Sequence, residues 1–262
     1  MCLIAMAWRA VPGYPLIVAA NRDEYHARPT APAGFWPPSG EVFGGRDLQD
    51  GGSWMAVARD GRFAALTNYR DARPARTDAR SRGHLVAEYV RSRQAAGEYA
   101  DAVAADGAQY NGFNLLAADT DSLWYAGNHG APAEPVAPGF HALSNARLNT
   151  PWPKAVGLSA ALRTVVAATA TEDDLVGQML TALADTGVPP DSDLPGTGVG
   201  IERERMLGAR MIVAPVYGTR SGSVLLMRND GSIRFVEQSF DASGQPTGRV
   251  SQVIAPSIRP PA

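Results

Sequence analysis

The first 24 residues of the chain predict a β-hairpin that brings the only cysteine beside a polar strand end. Two mostly apolar segments, Cys2 to Arg9 and Tyr14 to Arg22, flank the turn-forming residues Val11-Pro12-Gly13. A turn centred there pairs residue 2 with a residue near 22, within about two positions. The sequence therefore predicts that the thiol of Cys2 lies next to Asn21-Arg22-Asp23-Glu24.

Cys2 directly follows Met1, and because cysteine is small we expect an aminopeptidase to remove Met1. Cys2 would then carry a thiol and a free α-amine, which gives a nucleophilic sulfur a base beside it. Arg22 would hold the thiolate or a substrate carboxylate and would lower the pKa of the thiol, while Asp23 would hold the α-ammonium. The alternative is that Cys2 is a small buried apolar residue and that the polar run is a solvated strand end.

Composition narrows the possible functions. The 262 residues carry a formal charge of −2 and no basic run, so nucleic acid is not an expected partner. A single cysteine excludes an internal disulfide, and four scattered histidines argue against a dedicated metal site. No apolar run reaches the ~18 residues that span a bilayer, and the N-terminus lacks the basic start of a signal peptide. We therefore predict a cytoplasmic protein.

Hairpin and helix signals alternate along the rest of the chain. They predict a hairpin of residues 53–59 and 62–69 around Asp60-Gly61, helices from Ser81 and from Glu98 to Asp106, strands Gly112 to Ala118, Ser122 to Gly127 and Phe140 to Asn145, helices after Thr150 and Thr171, and strands Ala209 to Ala214, Ser223 to Met227 and Ser232 to Ser239. Residues 25–50 and 185–202 are rich in Pro and Gly and predict long loops, the second a mobile lid.

This order of elements predicts how the layers stack. Repeated hairpins favour antiparallel sheets, and two helix pairs with one apolar stripe each can cover the outer faces of two stacked sheets. We predict an α+β fold, a four-layer α-β-β-α sandwich. No composition shift marks a boundary, so residues 1–262 are predicted to form a single domain, with a frayed tail at 255–262.

Several motifs, spread over nearly the whole chain, resemble those of one family. They are Met1-Cys2-Leu3-Ile4 with Ala20-Asn21-Arg22-Asp23-Glu24, Gly44-Gly45-Arg46-Asp47-Leu48 with Gly52-Ser53-Trp54, Leu66-Thr67-Asn68-Tyr69-Arg70, Ser144-Asn145 through Pro151-Trp152-Pro153-Lys154, and Tyr217-Gly218-Thr219-Arg220-Ser221. The chain resembles the NRDE-motif family, the Transport and Golgi organisation protein 2 group. That family is similar to N-terminal-nucleophile (Ntn) hydrolases, especially the cysteine branch that cleaves bile-salt and penicillin V amides. The resemblance implies the same four-layer fold.

The resemblance also implies roles for individual residues. Asn68 and Asn145, at strand ends, would stabilise an oxyanion, and Arg220 would reach Cys2 or a substrate carboxylate. The amidase branch reads Arg-Asn-x-Asp where this chain has Ala20-Asn21-Arg22-Asp23, so its arginine is displaced by two positions. Because strand side chains alternate with period 2, that shift can keep the arginine on the same face. The substrate-binding candidates are Asn21, Arg46, Asp47, Tyr69 and Arg70.

Two functions follow from this pattern. The first is an Ntn-type cysteine hydrolase of amide or thioester substrates, with Cys2, Arg22, Asp23, Asn68, Asn145 and Arg220 in the active site and no cofactor. The second is a non-catalytic protein of the same fold that binds or transfers haem, an acyl-CoA or a lipid, with the Cys2 thiolate as a haem ligand. Both functions imply a small-molecule partner.

Overall fold

The computed structural model describes residues 2–257, and these form two antiparallel sheets covered by helices. In chain order the elements are β1 (Cys2–Val11), β2 (Tyr14–Tyr25), β3 (Thr30–Phe35), β4 (Val42–Asp47), β5 (Met55–Ala58), β6 (Phe63–Asn68), α1 (Gly83–Tyr89), α2 (Ala96–Ala105), β7 (Phe113–Ala118), β8 (Leu123–Gly127), β9 (Glu134–Pro135), β10 (Gly139–Leu143), α3 (Pro153–Ala168), α4 (Glu172–Leu183), α5 (Ile201–Gly208), β11 (Tyr217–Met227), β12 (Ile233–Phe240) and β13 (Pro246–Ile254).

The first sheet has the strand order β10-β1-β2-β11-β12-β13 and contains the N-terminal hairpin. Its register pairs Cys2 with Arg22, so the predicted hairpin is confirmed. Gly13 adopts a positive φ of 88° at the turn, a conformation that glycine enters without steric cost. The start of β1 and the polar end of β2 therefore lie side by side in the sheet.

The second sheet has the order β3-β4-β5-β6-β7-β8-β9. Residues 25–50 were expected to lack regular structure, and this expectation is wrong, because they contain β3 and β4. Because Pro32 argues against a strand, the sequence did not predict β3. A proline is tolerated there because β3 is an edge strand. The backbone N–H of Ala33 donates to Glu237 Oε1 of the other sheet at 2.7 Å, which fixes this edge by a contact distant in sequence.

Three apolar clusters separate the layers. The largest lies between the sheets and includes Cys2, Met6, Phe43 and Phe235. A second cluster packs α1 and α2 against the second sheet, and a third packs α3 and α4 against the first sheet. The four-layer α-β-β-α sandwich is therefore confirmed.

The last part of the chain differs from the prediction. Residues 209–214 form no strand, and the backbone N–H of Ile212 bonds instead to Thr219 Oγ1 at 2.9 Å. Helix α5 begins inside the predicted lid, and β13 extends the first sheet where no strand was predicted. Of the predicted tail, residues 255–257 have no regular structure, while 258–262 lie outside the described residues, as does Met1.

Candidate active site

Cys2 lies at the start of β1 with its side chain in the layer between the sheets, and only 7% of the residue is exposed. Ala20 faces the same layer, and Arg22 lines the same cavity as Cys2. Arg22 lies two positions from the arginine of the amidase branch. It is nevertheless on the same face of the sheet as Cys2, as the two-residue period of a strand allows.

A cavity of about 200 Å³ opens beside the thiol. Its lining is mostly polar and consists of Cys2, Arg22, Asp23, Glu24, Arg28, Asp47, Asp50, Ser53, Trp54, Leu66, Asn68, Ala79, Arg80, Ser81, Arg82, Gly83 and Asn111. The structure thus brings Arg22, Asp23 and Asn68 to one cavity with Cys2. A nucleophile and convergent polar groups in one cavity make it the candidate active site.

Burial raises the pKa of the Cys2 thiol. Arg22 and the backbone N–H of Asp23 oppose this effect, but the loss of hydration is larger, so the predicted fall in the pKa is wrong. At neutral pH the sulfur is therefore a thiol rather than a preformed thiolate. A reaction at this sulfur needs a base that removes the proton during attack.

Asp23 is held at the base of the site by β11. Its Oδ1 accepts a hydrogen bond from Thr219 Oγ1 at 2.7 Å, and its backbone carbonyl accepts one from the Tyr217 hydroxyl at 3.0 Å. Burial raises the pKa of the Asp23 carboxyl, while Lys154, Thr219 and Arg22 oppose the rise. Asp23 is therefore fixed in position by two residues of one strand, Thr219 at its carboxylate and Tyr217 at its backbone carbonyl.

Lys154, which the sequence analysis left outside the site, is a buried cation near Asp23. The residue is 5% exposed, and its Nζ has no hydrogen-bond partner among residues 2–257. Burial lowers its pKa to about 8, and Asp23 is the strongest opposing influence. One sequence signal was available: this is the single lysine in a chain whose other basic residues are all arginine. Arginine does not lose its proton in proteins, whereas a lysine does when burial lowers its pKa.

We predict that Lys154 gives the folding stability a rising pH dependence above pH 8. Below about 8 the amine is protonated in the folded and the unfolded chain; between about 8 and 10.5 it is protonated only in the unfolded chain. The unfolded chain then binds more protons, so a rise in pH favours folding by up to about 1.4 kcal/mol per pH unit.

Urea unfolding of wild type and Lys154→Met at about pH 7.5 and 9.5 tests this prediction. The wild type should gain stability relative to the variant at the higher pH, because only the wild type carries the titrating amine. Tyrosines with shifted pKa values are present in both chains and cancel in the comparison. A stability difference that stays constant between the two pH values would contradict the assigned titration.

The two asparagines occupy different positions. Asn68 lines the cavity, whereas Asn145 is fully buried and does not. The Asn145 Nδ2 donates to the backbone carbonyl of Asn68 at 2.9 Å, and its Oδ1 accepts from Ser144 Oγ at 3.2 Å. The side-chain N–H₂ of Asn145 therefore orients the strand end that carries Asn68.

Neither Arg220 nor Arg70 lines the cavity beside the thiol, and each is held by other partners. Arg220 Nη1 donates to the carbonyls of Tyr25, His26 and Arg28 at 3.0 to 3.2 Å and so holds the turn after β2. Arg70 Nη1 binds Glu204 Oε2 at 2.5 Å, both side chains being buried.

The other substrate-binding candidates are divided between the cavity and its surroundings. Asp47 lines the cavity and is paired with Arg28. The Arg28 Nη2 lies 2.5 Å from Asp47 Oδ2 and 2.7 Å from Asp50 Oδ2. Arg46 lies outside it, bonded to the Gly51 carbonyl at 2.8 Å and placed over the ring of Trp36.

Tyr69 and Asn21 also lie outside the cavity. Tyr69 stacks on His129 with ring centroids 3.7 Å apart in a neighbouring cleft. Asn21 faces the helical layer, where its Nδ2 donates to the carbonyls of Leu183 and Arg210, both at 2.8 Å. Its contacts are those of a residue that joins the sheet to α4 and the following segment.

Comparison with known sequences supports the motif analysis. The sequence profile of the family described as Transport and Golgi organisation 2 matches residues 1–242. The chain belongs to this family. The Bos taurus Transport and Golgi organization protein 2 homolog is 40% identical over 259 residues, covering 92% of this chain and 93% of the relative. The Homo sapiens homolog is 35% identical over 262 residues, covering 92% and 93%.

Comparison with solved structures shows the fold. The chain is similar to a Caenorhabditis elegans N-acylethanolamine-hydrolyzing acid amidase ortholog, with a TM-score of 0.53, 12% identity and coverage of 86% of this chain and 92% of that one. This family member therefore has the sandwich of the Ntn hydrolases. Across residues 2–257, none of the helices is long and apolar enough to cross a bilayer. The cytoplasmic location stays a prediction from the sequence.

Proposed function

We propose that the protein is an Ntn-type cysteine hydrolase of amide or thioester bonds, with Cys2 as the nucleophile after removal of Met1. The observation that carries the proposal is the cavity in which the thiol meets Arg22, Asp23 and Asn68. A sulfur that only filled space in the core would not need a polar cavity beside it. The raised pKa of the thiol is consistent with a base that accepts its proton during attack.

In the proposed reaction the α-amine of Cys2 takes the thiol proton as the sulfur attacks the substrate carbonyl. The carbonyl π electrons move to oxygen, and the side-chain N–H₂ of Asn68 donates to that oxyanion; one such donor contributes about 10²–10³ in rate. The C–N or C–S bond then breaks, the ammonium proton goes to the leaving group, and a thioester of Cys2 remains. Water, deprotonated by the same amine, releases the acid.

The surrounding residues support these steps through position and charge. In this mechanism Asp23, which Thr219 holds, orients the α-ammonium. Arg22 favours negative charge on the sulfur and on the developing oxyanion. Asn145 acts through Asn68, whose backbone carbonyl it holds at 2.9 Å.

The alternative, a haem or lipid carrier, has less support. The cavity of about 200 Å³ beside Cys2 has room at the sulfur for a small group only, which is less than a porphyrin needs. Its lining is mostly polar, and Trp54 and Leu66 alone supply too little apolar surface for a porphyrin or an alkyl chain. The residues around the sulfur therefore do not fit haem.

We expect a slow amide or thioester substrate to leave its acyl group on Cys2. Intact-mass analysis of the acid-quenched protein should show a chain that begins at Cys2 and a second species heavier by the acyl mass. Cys2→Ser should show no thioester adduct. A chain that retains Met1 yet turns over the substrate would contradict the amine as base, and turnover in Cys2→Ala would contradict the nucleophile.

A further inference from the structure

Arg82 is a cation in the wall of the Cys2 cavity without a carboxylate partner. Its Nη1 donates to the Gly112 carbonyl at 3.0 Å, and no acidic side chain of residues 2–257 forms an ion pair with it. Two other arginines of this wall differ, because Arg28 is paired with Asp47 and Asp50 and Arg80 is 3.5 Å from Glu88. Arg82 therefore lines the cavity without an ion pair among the described residues, and Glu24 of the same wall acts on its charge only from a distance.

Arg22 adds to the same cavity a second guanidinium group that forms no ion pair with the described residues. The residue is 6% exposed, and its Nη1 is buried without a hydrogen-bond partner among the described residues. The wall also contains two acidic groups outside the Arg28 ion pairs, Asp23 and Glu24. The Asp23 carboxylate accepts a hydrogen bond from Thr219 Oγ1 at 2.7 Å. Glu24 accepts a hydrogen bond from the N–H of Tyr25 at 2.8 Å and forms an ion pair with neither arginine in the described chain. A buried guanidinium group without an ion-pair partner is costly, as at Arg22, and Arg82 of the same wall is partly buried, so an incoming anion is stabilised at this point.

The size and lining of the cavity limit what can enter it. Its volume of about 200 Å³ suits a short group, and Trp54 and Leu66 are the large apolar side chains in its wall. A long alkyl chain needs mostly apolar surroundings, which this wall does not supply. The group bound next to the sulfur must therefore be short and polar.

A larger cleft adjoins the cavity and provides space for the rest of a ligand. The cleft has a volume of about 880 Å³ and shares Arg82 and Asn111 with the wall of the cavity. The stacked rings of Tyr69 and His129 form part of its surface. Arg82 thus stands at the junction of the two spaces.

We propose that Arg82, with Arg22, binds a carboxylate or another anionic oxygen group of a short, polar substrate beside Cys2, while the remainder of that substrate occupies the adjoining cleft. That this anionic ligand is a substrate rests on the proposed hydrolase function. Anion binding at the two arginines does not need turnover, so it can be tested separately from hydrolysis.

Alkylation of Cys2 by a charged and a neutral reagent tests the proposal directly. In both reactions the thiolate forms a C–S bond, the C–I bond breaks and iodide leaves, but iodoacetate carries a carboxylate and iodoacetamide does not. Because Cys2 is the only cysteine, adduct formation reports this site alone. The ratio of the two rates, divided by the same ratio in the urea-unfolded chain, removes differences in thiol pKa and in intrinsic reactivity.

We expect the normalised ratio to favour iodoacetate by about tenfold in the wild type, the lower end of electrostatic capture effects. Arg82→Gln should bring it close to one, Arg82→Lys should retain most of it, and the exposed Arg93→Gln should leave it unchanged. A wild-type ratio near one, or a ratio that Arg82→Gln does not lower, overturns the proposal.

A second measurement uses only the wild type and so does not depend on the folding of a variant. At constant ionic strength, succinate and inorganic phosphate are each tested for slowing of alkylation by iodoacetamide. Slowing by succinate alone indicates a carboxylate group, and slowing by phosphate alone indicates a phosphoryl group; either result supports the anion site. If neither anion protects Cys2, the proposal is wrong. A positive result with no hydrolysis of any amide or thioester would retain the anion site and reject the proposed function.

Discussion

Replacing Cys2 with alanine is expected to lower the turnover of any amide or thioester substrate by about 10³-fold or more, because a covalent mechanism has no substitute for its nucleophile. The rest of the site should remain in place, since the mutation removes one sulfur atom at the end of a strand. The expected loss of stability is about 1 kcal/mol, the range for removal of a small buried group. Turnover at saturating substrate, measured beside urea unfolding, separates the chemical effect from the structural one.

Two further variants sharpen this test. Cys2→Ser keeps the size of the side chain and a weaker nucleophile, so it should fold as the wild type does and turn over far more slowly. Arg93→Gln, exposed and distant from the cavity lining, should match the wild type in both measurements. Turnover by Cys2→Ala within tenfold of the wild type would assign the chemistry to another residue.

Local patterns in the sequence predicted the part of the site that one hairpin builds. The turn at Gly13 and the alternation along β1 and β2 are sufficient to place Arg22 opposite Cys2. The partners of Arg70 and Arg220 are contacts across 134 and more than 190 positions of the chain, which no local pattern encodes. Both arginines were predicted to serve the site, and both have buried or backbone partners elsewhere.

The same limit explains the residues that were missed. Lys154, at the start of α3, lies near Asp23, and Arg82, the residue before α1, lines the cavity; only the stacking of the layers brings these helix starts toward Cys2. Pattern analysis marks a helix start as a place for caps, not for site cations. The family motif did contain Lys154, but a motif gives no information about burial.

The largest expected loss of stability comes from breaking the buried ion pair between Arg70 and Glu204. Arg70 Nη1 lies 2.5 Å from Glu204 Oε2, with side-chain exposures of 3% and 5%. The other carboxylate oxygen, Oε1, accepts from the N–H of Thr197 at 2.9 Å and from its hydroxyl at 2.5 Å. The pair therefore connects the end of β6 to α5 and to the segment that precedes this helix.

Arg70→Met should lower the free energy of unfolding by about 3–5 kcal/mol, because it leaves the Glu204 carboxylate buried without its cation. Adding Glu204→Leu removes that charge as well, so the double variant should regain most of the loss. Arg205→Met is the matched control: Arg205 pairs with Asp191 at 2.6 Å with exposures of 44% and 52%, and such surface pairs contribute about 1 kcal/mol or less. Urea unfolding of the four variants, including Glu204→Leu alone, gives the coupling energy. Two results would show that burial of this pair does not determine its contribution to stability. One is a loss of unfolding free energy in Arg70→Met no greater than that in Arg205→Met. The other is a double variant less stable than Arg70→Met.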